Sequence, residues 1–159
     1  MSDHKQLIEQ FRQAPEALEK ALSGATPEET QFQPAPGKWT VREIAAHLAD
    51  TEIVAGMRLR QMIAEEKPTI AIFDQDAWAK AFGYNGIDVA ASLARFRTLR
   101  AINADMLDAA PANAFDKQGI HPERGVLTVA DWVDRFTKHG DRHAEQITKI
   151  REAWKSLAG

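Results

Sequence analysis

Cysteine is absent from the 159 residues of this chain. That excludes disulfides, thiolate metal ligands and a catalytic cysteine of the protein's own. Long apolar runs are missing as well: no stretch approaches the ~20 residues of a membrane span. The opening MSDHKQLIEQ holds no apolar core of a signal peptide, so the cytoplasm is the expected compartment. Clustered basic residues are also lacking, and 20 Lys and Arg are outnumbered by 23 Asp and Glu, for a net charge of −3. Nucleic acid and anionic membranes ordinarily need a basic face, so neither is an expected partner. The β-branched alternation that strands need does not occur. No repeat, low-complexity tract or long linker divides the sequence, which reads as one domain over residues 1–159. Apolar residues make up 44% and charged residues 27%, the composition of an ordinary globular chain able to bury a core.

What is present is helical periodicity, broken at Gly and Pro clusters. Leu7, Ile8, Phe11, Leu18 and Leu22 recur at helical spacing over residues 3 to 23. Pro15 predicts a kink or restart there, with the proline in a first turn. The connection SGATPEETQFQPAPGK has room for one short turn, capped by Thr26. Thr40 and Glu43 form a capping box that opens a second helix, running to about Glu66 before Pro68. Residues 67 to 86 read as an irregular excursion with a short helix near Asp76 to Phe82. A third helix from about Asp88 to Ala109 is expected to bury Val89, Leu93, Phe96, Leu99 or Ile102, and Met106. PANAFDKQGIHPERG reads as a loop, and Thr128 with Asp131 as the cap of a last helix reaching about Leu157. Four long helices give an all-α four-helix bundle.

Three of the five histidines lie inside these helices. At 100° per residue, Trp132, Phe136, His139, His143, Gln146, Ile150 and Trp154 share one inward arc of the last helix. On the second helix, Ile44, His47, Thr51 and Val54 share a similar stripe. Two imidazoles at i and i+4 converge and can hold one divalent ion, with His47 directed to supply a third ligand. Three neutral ligands leave the ion its charge and an open position, as catalytic sites require. The competing reading is a set of hydrogen-bonded core histidines. Burying an unpartnered imidazole costs roughly 1–3 kcal/mol, and no acid on the same stripe of the last helix serves both. The H-E-x-x-H peptidase pattern is not met, because position 140 is Gly. His4 is terminal and expected to be solvated. His121 is either a turn residue before Pro122 or a group at the mouth of the site.

Residues 37 to 52, GKWTVREIAAHLADTE, resemble the entry to the second helix of the DinB-like superfamily, and of its YfiT-like branch in particular. Arg58, Pro68, FDQDAW at 73 to 78, HPERG at 121 to 125 and HGDRHAEQI at 139 to 147 follow in matching order. The resemblance implies a four-helix bundle, often a homodimer, with a divalent metal held by His47, His139 and His143. It also implies a metal-dependent hydrolase or a thiol S-transferase acting on a small molecule. The transferase would use a low-molecular-weight thiol such as bacillithiol, mycothiol or glutathione as co-substrate. Nickel or zinc suits three imidazoles best, with iron or manganese as alternatives.

Glu43 and Asp50, one turn either side of His47, are candidates to orient its imidazole, with surface and capping roles as the competing explanation. Thr51 is expected to pack or to bond back to its own helix. Arg58, three turns beyond His47, is expected in an ion pair at the bundle end. Trp39, Trp132 and Phe136 read as core, and Trp78 and Tyr84 as candidates to line a substrate mouth. No catalytic residue is assigned. The rival to an enzyme is a non-catalytic bundle whose metal is structural, or which binds a ligand or partner.

Overall fold

A computed structural model describes residues 3–158 of the chain. Pro15 divides the first predicted helix into α1 (Asp3–Gln13) and α2 (Pro15–Leu22), with the proline in the first turn of α2. Thr26 and Glu29 close a capping box on the short α3 (Pro27–Gln31). Thr40 and Glu43 do the same for α4 (Val41–Ala64). The excursion holds α5 (Gln75–Ala81), and Asp88 caps α6 (Val89–Ala109). Thr128 and Asp131 exchange capping bonds at the start of α7 (Val129–Ala158). The four walls of the bundle are α1 with α2, α4, α6 and α7.

The segment expected to be a loop is instead partly a hairpin. β1 (Gln118–His121) and β2 (Gly125–Thr128) pair antiparallel, with Gly119 opposite Leu127 and Ile120 opposite Val126. Gly125, at φ +77°, takes the left-handed turn position that glycine tolerates best. Four-residue strands are too short for alternation to register in the sequence. The backbone of Ile120 also exchanges hydrogen bonds with Pro68 and Ile70, which ties the excursion after α4 to the hairpin.

The core has two apolar layers separated by a polar waist. One contains Phe11, Leu59, Met62, Leu107, Val133 and Phe136. The other contains Leu18, Ile44, Leu48, Phe96, Ile147 and Ile150. Between them lies Arg100, 1% exposed, whose Nη2 donates to Glu52 Oε1 at 2.6 Å. Asn103 Nδ2 donates to the Glu52 carbonyl. Arg100 Nη1 donates to the Phe11 carbonyl at 2.9 Å. That carbonyl is the acceptor which an N–H at position 15 would have served in an unbroken helix, and proline has none to give. The buried guanidinium thus makes the shorter of two bonds to this carbonyl, the Ala14 N–H lying at 3.4 Å. Of the residues expected to be buried on α6, Phe96 is buried, Val89, Leu93, Leu99 and Met106 are half-buried, and Ile102 is 49% exposed; the fully buried line also takes in Ser92, Arg100, Asn103, Ala104 and Leu107.

Candidate metal centre

His47 stands in the second turn of α4 and is 1% exposed. It meets the pair from α7 in the same waist. His47 Nε2 lies 3.3 Å from His139 Nε2, and His143 Nε2 lies 3.1 Å from His139 Nε2. All three ligand nitrogens fall within 4.8 Å of one another. Two imidazoles sharing one tetrahedral ion at 2.0–2.1 Å place their nitrogens about 3.3 Å apart. His139 thus stands from each of the other two at about the separation a shared ion requires.

Their protonation suits a cation too. Burial, and then the charge of His143, holds the His47 imidazolium down to about 3. Burial and the two neighbouring histidines hold His139 down to about 2. His143 is lowered by burial, against the opposing effect of its hydrogen bond to Gln146. All three are neutral near pH 7 and have lone pairs to offer. The pair His143 Nδ1 and Gln146 Oε1 stands at 2.9 Å. An amide oxygen there takes the Nδ1 proton and leaves Nε2 free to coordinate, the orienting role that ligand histidines ordinarily require. Gln146 is the orienting group that the sequence reading passed over. Its place three residues after His143, on the same arc, was the available signal.

The proposed orienting acids lie elsewhere. Glu43 is engaged in the capping box of α4, and Asp50 accepts from the Tyr84 hydroxyl at 2.5 Å. Each is committed because the helix start and the buried phenol needed an acceptor. Thr51 bonds back to the His47 carbonyl at 2.7 Å, as expected of a mid-helix threonine, and its Oγ1 also reaches the His47 ring at 3.4 Å. Trp39 packs against His47 with ring centroids 4.9 Å apart. His4 stacks on Phe115 at 4.3 Å.

A cleft of about 220 Å³ reaches His139, with walls from Thr51, Phe73, Trp132 and Arg58. His121 also lines it; its Nδ1 accepts from the Glu123 N–H at 3.2 Å in the turn, and its ring lies tilted against Trp132, with centroids 5.6 Å apart. Tyr84 does not reach this mouth; it is 1% exposed and packs with Ala46 and Ala79. Trp78 packs on Phe73 and Phe82 instead. Among the described residues, Arg58 is not paired with an acid. Its Nη2 donates to the Ala71 carbonyl, and the guanidinium lies 5.1 Å from the Trp132 ring and 5.9 Å from that of Phe73.

Neutral charge, nitrogen spacing and an oriented His143 together fit a divalent ion. Among the described residues, the only cluster of three or more potential ligands is this trio.

Comparison with known proteins agrees with the architecture. The chain is 30% identical to a protein of Geobacillus thermodenitrificans, over 94% of this chain and 85% of the other. It is 28% identical to one from Oceanobacillus iheyensis, over 92% and 86%. Both carry the provisional name metal-dependent hydrolase. The solved structure of YfiT from Bacillus subtilis, described as a four-helix bundle of unusual topology, superposes with a TM-score of 0.86 at 24% identity, covering 94% of this chain and 87% of that one. Residues 10–147 match the DinB superfamily, and the chain belongs to it.

Proposed function

We propose that this chain is a divalent-metal-dependent enzyme acting on a small molecule, with His47, His139 and His143 as the metal ligands. The observation that carries this reading is the convergence of three neutral imidazole nitrogens, with His139 3.1–3.3 Å from each of the other two and itself lining an open cleft. A divalent ion held there would supply a Lewis acid, able to polarise a substrate or to lower the pKa of a bound water or thiol.

The chain's own residues do the rest. Gln146 fixes the tautomer of His143, while Trp39 and Thr51 wall the His47 ring. Trp132 and Phe73 give the cleft an apolar side. The absence of cysteine means that any thiol chemistry must use a thiol brought by a co-substrate. Two reaction classes fit this arrangement, hydrolysis and the transfer of a small thiol to an electrophile. The relatives' names favour the first.

The test is a turnover screen on zinc- and nickel-loaded protein, pairing ester and amide substrates with conjugation of glutathione and bacillithiol to electrophiles. Turnover in wild type, lost in His143→Ala, supports the reading. The reaction class that responds distinguishes the two chemistries. Metal-loaded protein inert in every arm would favour a structural ion.

A further inference from the structure

The same cleft carries a charge pattern that the metal reading does not use. Four arginines, Arg58, Arg124, Arg135 and Arg142, line it against one acid, Glu123. This surplus stands out in a chain whose net charge is −3. Among the described residues, none of the four has a carboxylate within 4.0 Å. Arg124 and Arg142 are exposed and Arg135 is half-buried, whereas Arg58 is only 8% exposed, and its Nε has no hydrogen-bond partner among the described residues. Burial, and then the nearby charge of Arg124, holds the Arg58 guanidinium below its ordinary value.

Arg100 makes the contrast. It is the other buried arginine at the heart of the bundle, and it has Glu52 as counter-ion at 2.6 Å. A buried cation without a counter-ion is expensive, and Arg58 is held in that state between two aromatic rings at the wall of a cleft. The volume of about 220 Å³ equals roughly seven waters at ~30 Å³ each, room for a small oxyacid.

We propose that the arginine-lined cleft is an anion site, and that the molecule it binds carries a carboxylate or phosphate group. Either group presents two oxygens side by side, which a guanidinium group recognises through paired N–H donors. The opposite end of the same molecule then faces His139. The substrate side of this inference rests on the proposed metal centre, whereas anion binding does not.

The experiment is calorimetric titration of the zinc-loaded full chain with inorganic phosphate, succinate and the uncharged succinamide. Saturable binding of phosphate or succinate, with none of succinamide, is expected; the responding anion tells a phosphorylated from a carboxylated substrate. Arg142→Gln, at an exposed position that leaves the core intact, and Arg58→Gln should each weaken binding about tenfold or more, the loss of a charge-assisted hydrogen bond. Arg95→Gln, outside the cleft, should stay close to wild type. His143→Ala should retain the anion and its arginine dependence while losing metal, which separates the two proposals. No saturable binding of either anion would overturn the anion site. So would Arg142→Gln and Arg58→Gln variants that bind like Arg95→Gln.

Discussion

Metal-free protein should lose stability steeply as the pH falls below 6.5, and the triad should cause the steepness. In the unfolded chain a histidine titrates near 6.5. In the folded chain burial holds His47 to about 3 and His139 to about 2. Between those limits the unfolded chain binds protons that the folded chain refuses, so stability falls with falling pH. Above 6.5 both states are neutral and the contribution is flat. One pKa unit is worth about 1.4 kcal/mol, so from pH 7 to pH 5 each of the two groups removes about 2 kcal/mol. His143 shifts in the same direction. A loss of about 4 kcal/mol is a large part of the 5–15 kcal/mol that ordinarily holds a domain together. The assay is urea unfolding of chelator-treated wild type and of a variant with all three histidines replaced by leucine, at pH 7, 6 and 5. Subtracting the variant removes the carboxylates and other groups common to both. Parallel curves for the two proteins would refute the reasoning, because they would mean that the folded triad accepts protons as readily as free histidine.

Other expectations follow from the same structure. Replacing Gln146 by Leu frees the Nδ1 end of His143 and should lower metal affinity 10–100-fold with little change in fold, measured by competition with a chelating dye. Glu52→Ala strands the Arg100 charge in the core and should cost about 3–5 kcal/mol in urea unfolding. The double variant Glu52→Leu, Arg100→Met should recover much of that loss. Gly56→Ala drives a methyl group into the side chain of Asn103, which is itself held by Glu52; a loss of about 1–3 kcal/mol is expected from the same unfolding assay.

Much of this arrangement was legible in the sequence because it rests on local rules. Thr26, Thr40, Asp88 and Thr128 start helices through side-chain bonds within three residues. Pro15 announces its own break. The 100° step alone put His139 and His143 on one face and His47 on a facing stripe, and the fold brings the three together. What escaped depends on contacts between distant segments. Arg100 carries no local signal of burial, because its partners, the Phe11 carbonyl and Glu52, lie on other helices. Glu43 and Asp50 have suitable spacing from His47, but a helix cap and the Tyr84 hydroxyl claim them. The cleft draws its walls from α4, the excursion after it, the hairpin and α7, so no window of sequence contains it. The hairpin itself offers only four residues a strand.

That imidazoles from α4 and α7 share a single cation is tested most directly by elemental analysis joined to X-ray absorption at the metal edge. Purified wild type should hold one equivalent of a divalent ion with three nitrogen neighbours at about 2.0–2.1 Å. His47→Ala, His139→Ala and His143→Ala should each purify nearly metal-free while remaining folded by circular dichroism. Undiminished metal in the His47→Ala protein, or an absorption edge fitted by oxygen neighbours alone, would contradict the assignment.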